Sequence, residues 1–380
     1  MYYIVDESTN KILYAPSLQN DPNYSLVEPV WTEEINKSGS LEFTIYPVHA
    51  MYNSYKKMTT IFAVKDEEDN VVWRGRVTND DKDFYQAKNV YCEGQLAFLC
   101  DSIIRPHTFY ERTIESMFDW ILTQHNSQVE KQKQFTFGYC DIAYKDRFVS
   151  DVGEYNRSLD EIQDMLDQYG GYILFDNNKI YYSSVSGTVS DQIIDFGENL
   201  LDLTESIDAT SICTVLIPLG KPEEDDETNT PIDIKDVNGG KDYLENQNGI
   251  DLFGRIVSTV TFDDIDDQKL LKTAGENYLA QSFDMAFTIT VTAADLFDLG
   301  ANVDKIKCGN YYRVRSLPHG IDNFYQCTKI THNLENPTSS EYTFGATSYY
   351  LTDKLAANSK ILNKNSQWLK PKKVKKTYMK

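Results

Sequence analysis

The sequence contains little that could perform catalysis. It has no G-x-S-x-G, no H-E-x-x-H and no glycine-rich phosphate loop, so the common signatures of serine hydrolases, zinc peptidases and nucleotide-dependent enzymes are missing. Its six cysteines (Cys92, Cys100, Cys140, Cys213, Cys308, Cys327) form no C-x-x-C pair and have no histidine at zinc-ligand spacing. They sit singly among strand-like apolar residues and read as reduced, buried small side chains of a protein made in a cytosol. The five histidines (His49, His107, His125, His319, His332) are far apart along the chain. A cysteine and a histidine that meet only in space would escape such a search, yet Cys308 and Cys327 both alternate as strand-core residues. No apolar run approaches the roughly 18 residues of a membrane span. The N-terminal MYYIVDESTNKI lacks the basic and apolar regions of a secretion signal, so none is expected.

Basic residues are also scarce: Lys+Arg number 37 against 58 Asp+Glu, a net charge of −21. Residues 360–380 hold eight lysines and no acid, so without those eight charges residues 1–359 stand at −29. Such a body repels nucleic acid, whose binding depends on neutralising phosphates, and it avoids anionic membranes. The lysine-rich end (Lys370, Lys372, Lys373, Lys375, Lys376, Lys380) reads as a solvated tail, with docking on an acidic partner as the alternative. Aromatics are plentiful: 26 Tyr, 18 Phe and 4 Trp. Tyrosine suits half-buried strands and interfaces because its ring buries area while its hydroxyl stays wet. At 380 residues the chain exceeds what one core usually serves, so several domains are expected.

Along the chain the texture runs β, then α+β, then β. Residues 1–104 carry period-2 strands at Tyr2–Val5, Lys11–Tyr14, Trp31–Ile35, Ser40–Ile45, Ile61–Lys65, Val71–Val77 and Phe84–Glu93, the density of a small barrel or sandwich. Gln95–Asp101 reads as a short helical or turn segment. Residues 105–192 change to helices: Thr113 caps one carrying Ile114, Phe118, Ile121 and Leu122, and Ser158-x-x-Glu161 opens another, ended by Gly170-Gly171. A hairpin, Tyr172–Phe175 with Lys179–Ser183, completes an inserted α+β unit. Residues 193–350 return to β, with strands at Cys213–Leu219, Ala286–Thr292, Arg313–Leu317, Tyr325–Ile330 and Thr343–Gly345 and a helix over Gln268–Ser282. Residues 221–249, with the run Glu223–Glu227, two Asn-Gly turns and few apolar residues, read as an exposed acidic loop. Residues 351–380 read as a Lys-rich linker or tail.

No catalytic, cofactor or metal residue emerges. The runs Glu223–Glu227 and Asp263–Asp267 lack the spacing of a calcium loop, and Asp236-x-Asn238-Gly239 is crowded by Lys235 and Lys241. Asp263–Asp267 is better explained as the entry to the helix that follows, where carboxylates favour the positive dipole end. His319, in the turn Pro318-His-Gly320, has a backbone or surface role by default, and Gly320 supplies the positive φ a tight turn requires.

Four stretches in order resemble a known family. They are Thr32-Glu-Glu-Ile-Asn-Lys-Ser-Gly-Ser-Leu-Glu-Phe43; Phe253-Gly-Arg-Ile256 with Val260-Thr-Phe-Asp-Asp-Ile265; Ala294-Asp-Leu296 with Gly309-Asn-Tyr-Tyr-Arg-Val-Arg-Ser-Leu-Pro-His-Gly320; and Asn333-Leu-Glu-Asn-Pro337. Together they make the chain resemble the N-terminal structural region of tail-tip or baseplate hub proteins of tailed phages and prophages of Gram-positive hosts. This group includes tail-associated lysins and prophage tail endopeptidases, and is similar to myophage baseplate hubs. The resemblance implies two β-barrel tube-type domains flanking an inserted α+β domain, and a homotrimer that caps the tail tube. It further implies contacts with a distal tail protein and the tube, with tape-measure and receptor-binding proteins as further candidates, and with DNA only in transit. Many relatives carry a C-terminal peptidoglycan-cleaving domain, whereas here a lysine-rich stretch follows Gly345.

The expectation is therefore a structural virion protein at the tail tip, made in the host cytoplasm, not an enzyme, with no cofactor. The rival readings are a cell-wall-degrading tail endopeptidase and a receptor- or glycan-binding module.

Overall fold

Period-2 patterning converts directly into strands over the first hundred residues. The computed structural model describes residues 2–142, 148–152, 155–207, 212–222, 230–262, 265–285, 287–297 and 303–345. Strands β1 (Tyr3–Asp6) and β2 (Ile12–Tyr14) form the N-terminal hairpin, followed by β3 (Val27–Glu34) and β4 (Ser40–Ile45). In β4, Leu41, Phe43 and Ile45 point inward and Glu42 outward, because successive side chains leave the pleat on opposite faces. β5 (Ile61–Lys65) turns into β6 (Val71–Lys82) through a loop that Asp66 organises, its carboxylate accepting from the amides of Glu68 and Asn70. β7 (Lys88–Gly94) then pairs with both β6 and β4.

One boundary differs from the sequence expectation. The strand anticipated over Phe84–Glu93 begins only at Lys88. Asp83 starts a reversal in which its amide donates to the Ala87 carbonyl at 2.9 Å and its carboxylate accepts from the Ala87 amide at 2.8 Å, with Gln86 at φ +66°. Phe84 and Tyr85 match a strand in residue type alone; the Asx turn decides the backbone.

A 3-10 segment at Gln95–Asp101 leads into β8 (Ile103–Ile104), β9 (His107–Arg112) and α1 (Ile114–Asn126). Thr113 caps α1 as expected, reciprocated by Ser116. Next come β10 (Thr136–Cys140), β11 (Phe148–Val152), β12 (Asn156–Arg157) and α2 (Ser158–Tyr169). Here Arg157, not Ser158, occupies the cap position, its amide donating to Asp160 at 3.3 Å. The Ser158 hydroxyl is instead buried against Ser102, so the capping-box spelling is right and its register is one residue off. β13 (Tyr172–Asp176) and β14 (Lys179–Ser183) form the expected hairpin, and β10 joins β14 in parallel.

The rest of the chain supplies β15 (Val189–Asp195), β16 (Leu200–Ile207), β17 (Val215–Gly220), β18 (Leu244–Glu245), α3 (Gln247–Phe253), β19 (Val257–Phe262) and α4 (Gln268–Met285). It closes with β20 (Phe287–Ala293), β21 (Tyr311–Ser316), β22 (Ile321–Asn333) and β23 (Glu341–Gly345). Within the acidic stretch 221–249, Glu223–Glu227 lies outside the described residues. Residues 230–249 are not uniformly exposed. Ile234 is fully buried, Leu244 pairs in β18, and Asn246 caps α3, which absorbs the second Asn-Gly pair. A few apolar residues spaced along a polar segment are enough to pin it to a core.

The strands gather chiefly into one thirteen-stranded sheet with the order β16-β20-β23-β22-β3-β4-β7-β6-β5-β1-β2, β21 pairing with β22 and β15 with β21. The N-terminal and C-terminal β regions are thus continuous through the antiparallel pair β3·β22, with Trp31 opposite His332 and Thr32 opposite Thr331. The fold is mostly β, a mixture of β and α+β.

Three hydrophobic cores underlie it. One holds Ile4, Leu13, Trp31, Phe43, Phe62 and Trp73 and also takes Leu334 from beyond β22. A second holds Ile194, Val291, Tyr312, Cys327, Ile330 and Phe344. The third joins α1 and α2 to residues much later in the chain, among them Cys213, Leu216, Leu271 and Ala274, so α4 and β17 complete the α+β layer. Each fully buried large side chain contributes about 1.5–3 kcal/mol.

Around Trp73 the packing depends on the absence of side chains. A Cβ on Gly75 would lie 2.3 Å from the Trp73 ring, and one on Gly94 would lie 1.7 Å from the Ser38 carbonyl oxygen and 2.9 Å from Trp73 Nε1. Because the obstruction at Gly94 is backbone, it cannot swing away. Gly94→Ala is expected to destabilise the protein by about 1–3 kcal/mol, read as a lower urea midpoint at unchanged slope. An unchanged midpoint would show that the β3–β4 connection at Ser38 yields freely.

Candidate functional site

The histidines are held as structural groups. His49 is buried, its Nε2 donating to the Leu13 carbonyl at 3.0 Å and its Nδ1 accepting from the Met51 amide at 3.0 Å. His107 stacks on Trp120 at 4.6 Å. His332 stacks on Trp31 at 4.0 Å, bonds Glu33 at 2.9 Å and meets the edge of Tyr2.

Two Ser–His pairs form that sequence spacing could not reveal. At the junction of β8 with both helices, His125 Nε2 lies 3.0 Å from the Lys133 carbonyl, so Nε2 carries the proton. Nδ1 accepts from the Ser102 hydroxyl at 2.7 Å, and the Ser158 hydroxyl donates to Ser102 at 2.7 Å. All three side chains are buried, so no substrate reaches the serine. The other pair is local: Ser316, fully buried, bonds His319 Nδ1 at 2.6 Å across the turn where Gly320 adopts φ +71° as expected.

All six cysteines are free, with Cys92, Cys213 and Cys327 buried. Burial pushes the Cys92 thiol up and the Cys140 thiol up to about 11. A hydrogen bond with Cys327, then burial, raises Cys308 well above the usual thiol range. Thiolate nucleophiles are disfavoured at each.

Among the described residues no group of three or more His, Cys, Asp or Glu is placed to hold a metal, and no helix is long and apolar enough to cross a membrane. Asp263 and Asp264 lie outside the described residues, as does the lysine-rich end. Asp267 accepts from the Leu270 amide at 2.8 Å, the helix-entry role expected for that acidic run. In Asp236-x-Asn238-Gly239, Asn238 spends its amide on the carbonyls of Lys241 and Tyr243.

The densest charge lies between the N-terminal strands and α1. Arg76 bonds Asp101 at 2.5 Å and the Ala97 carbonyl at 3.2 Å, and Lys133 bonds Asp101 at 2.8 Å. Arg74 bonds Glu7 at 2.6 Å and the Gln132 carbonyl at 2.8 Å, and both guanidinium groups lie over the Phe98 ring. Burial opposes charge on Asp101, but the bonds from Arg76 and Lys133 hold its carboxyl below the usual range. An open cleft of about 670 Å³ adjoins this junction, lined by Glu7, Arg74, Glu130, Lys131 and Asn177 among others. Its lining has neither histidine nor cysteine.

The surface is more distinctive than any cavity. Phe84 and Tyr85, at the tip between β6 and β7, are 92% and 79% exposed and form an edge-to-face pair at 5.3 Å. Phe196, Leu201 and Leu317 are 52%, 61% and 73% exposed.

Residues 188–355 match the family model described as prophage endopeptidase tail. The fold resembles the 43 kDa tail protein of prophage MuSo2 from Shewanella oneidensis (TM-score 0.66, 10% identity, 91% of this chain and 98% of that one). It also resembles prophage tail protein gp18 from Listeria monocytogenes EGD-e (TM-score 0.56, 16% identity, 95% and 99%). A third likeness is to a tail protein from Neisseria meningitidis MC58 (TM-score 0.62, 10% identity, 91% and 96%). No curated protein sequence matches. The resemblance read from the four motifs is upheld: this chain is similar to phage and prophage tail proteins, in sequence over 188–355 and in fold over most of its length.

Burial holds both His49 and His125 below the usual imidazole value of 6.5. The unfolded chain therefore binds protons that the folded one refuses. The stability these groups contribute is complete above pH 6.5 and is lost as pH falls through their depressed folded values. Urea midpoints are expected to fall from pH 7.5 to pH 5 with net proton uptake on unfolding; a flat profile would contradict the neutral tautomers assigned here.

Asp101→Ala is expected to cost about 1–3 kcal/mol, because Arg76 and Lys133 lose their shortest carboxylate bonds and keep only Glu93 at 3.4 Å and Glu130 at 3.5 Å. A thermal shift no larger than that of an exposed Asp→Ala variant would show that water screens the junction.

Proposed function

We propose that this protein is a structural hub at the tip of a phage or prophage tail, acting as a ring of three copies that caps the tail tube. The observation that carries the proposal is the fold likeness spanning nine-tenths or more of both chains to proteins named as tail proteins. On this reading residues 1–104 and 193–350 provide two tube-type β-barrel domains, 105–192 the insertion between them, and 351–380 a linker or tail. The ring sits in the virion between a distal tail protein and the tube, with tape-measure and receptor-binding proteins as neighbours, and takes part in host attachment and DNA passage. A net charge of −21 suits a channel wall that DNA must pass without sticking.

The role is non-enzymatic. The word endopeptidase in the matching family's description is the one observation favouring wall cleavage. Against it stand serines and thiols that are buried or held protonated.

Light scattering of the purified protein across a concentration range tests the ring. A mass near three chains is expected, and a single-chain mass at every concentration would count against self-assembly. Release of peptidoglycan fragments by the purified protein would overturn the non-enzymatic assignment.

A further inference from the structure

Two of the six cysteines are brought side by side by the backbone. Lys307–Asn310 is a tight turn, with the Asn310 amide 3.3 Å from the Lys307 carbonyl and Gly309 at φ +89°. Its exit is a glycine bulge against β22. The Gly309 amide donates to the Cys327 carbonyl at 2.7 Å, and the Cys327 amide donates to the Asn310 carbonyl at 2.8 Å. Gly309 and Asn310 thus share Cys327 as partner, which sets Cys308 next to it. From the other side the Ser186 hydroxyl donates to the Gly309 carbonyl at 2.7 Å and ties the turn down.

The two sulfurs lie on one face. Cys327 is fully buried in the core that holds Tyr312, Ile330 and Phe344, and Cys308 packs against that same core. Cys308 Sγ lies 3.6 Å from the Cys327 carbonyl oxygen and 3.3 Å from that of Thr328, and the two thiols are hydrogen-bonded to each other. Adjacent backbones with both side chains on one face are what a disulfide requires, since its α-carbons stand roughly 4.4–6.8 Å apart. Cys92 is sealed in the N-terminal core, and the Cys213 thiol donates to the Val215 carbonyl at 3.0 Å.

We propose that Cys308 and Cys327 close into a reversible disulfide when the protein meets a small-molecule disulfide such as oxidised glutathione. Cys308, half-buried at the turn, loses its proton and attacks one sulfur of the reagent, expelling the first equivalent of reagent thiol. Cys327 then loses its proton and attacks Cys308 Sγ, which releases the second equivalent. Two protein thiols are oxidised, one reagent disulfide is reduced to two thiols, and the two protons end on those thiols. The hydrogen bond with Cys327 and burial hold Cys308 protonated near neutral pH, so the exchange is slow there. A reducing cytosol keeps the pair as thiols. The setting in which the bond closes rests on the virion reading above, because a tail component leaves the cytosol in which it is made. The bond links residues 19 positions apart and fixes the turn before β21 to β22. It lies one residue from Thr328, whose carbonyl accepts from the Ile35 amide at 3.0 Å, and so reinforces the strand that forms the seam with β3.

The experiment treats the purified full chain with oxidised glutathione at about pH 8.5, alkylates the remaining thiols after unfolding and maps the peptides by mass. The expected result is a peptide pair joining Cys308 to Cys327, reversed by dithiothreitol and absent from Cys308→Ser. The thermal midpoint should rise by roughly 5 °C. The rate should grow about tenfold from pH 7 to pH 8, as an attacking thiol held protonated demands. Alkylation of both cysteines would overturn the proposal. So would Cys308 left as a mixed disulfide with glutathione beside an alkylated Cys327, because a second sulfur within reach resolves that intermediate. Light scattering of the same sample reads the ring separately. A single-chain mass with the linked peptides present strikes the ring alone, and a three-chain mass without them strikes the bond alone.

Discussion

The pairing of β3 with β22 is the constraint on which the rest of the molecule depends. It joins residues about three hundred positions apart, as the His332–Glu33 bond with its separation of 299 makes plain. Without it the N-terminal strands β1–β7 and the C-terminal strands β15, β16 and β20–β23 would each present an open edge, a liability that folded proteins cover or pair. With it they form one sheet. Closing so long a loop carries an entropic cost that grows only logarithmically with length, so a few good contacts offset it. They are visible at the seam: Trp31 stacked on His332, Tyr2 against both rings, the Tyr14 hydroxyl on the Leu334 carbonyl at 3.0 Å, and the Leu334 amide on the Pro29 carbonyl at 3.0 Å.

The same constraint explains the placement of the α+β layer. Everything between β7 and β15 must leave the sheet and return, and its apolar faces then need a core of their own. α1 and α2 obtain one partly from a second excursion, in which β17 and α4 leave the C-terminal strands and pack against them. The layer is fixed to the N-terminal strands by the Arg74–Arg76–Asp101–Lys133 cluster. Burying such charges seldom adds net stability over an apolar substitute, but a mispaired arrangement is strongly penalised. An ionic junction therefore sets orientation better than it sets stability.

Most of the local structure was legible in the residues. Thr113 as a cap, Gly170-Gly171 as a stop, the alternation of Ser40–Ile45 and the positive φ at Gly320 all follow from chemistry within a few positions of each residue. Three features were hidden because their causes lie elsewhere. Phe84 and Tyr85 have strand composition, but Asp83 and the φ of Gln86 make a turn of them. Ser158 has the spelling of a cap, but Ser102 claims its hydroxyl. Ile234 and Leu244 look isolated in a polar stretch until α4 supplies their core. Neither the β3·β22 seam nor the exposed apolar pairs could be read from periodicity, since register and exposure are set by partners far along the chain. The family resemblance was legible because its motifs are turns and strand ends, whose residues are constrained locally.

The Ser102–His125 pair shows why a hydrolase motif in space need not be a hydrolase. A working dyad needs a serine that substrate can touch and an imidazole able to take a proton near neutral pH. Here the serine receives a hydrogen bond from Ser158 and is sealed beneath two helices, and burial makes the imidazole reluctant to accept charge. The hydroxyls and ring instead satisfy one another at a site where β8, α1 and α2 converge, which a buried polar cluster must do to avoid a desolvation penalty. The geometry that would activate a nucleophile at a surface thus works here as a clasp. The thiols fit the same pattern, Cys308 and Cys327 bonding within the sheet rather than facing a cleft. Ser102, Ser158, His125 and the buried thiols are thus used for packing.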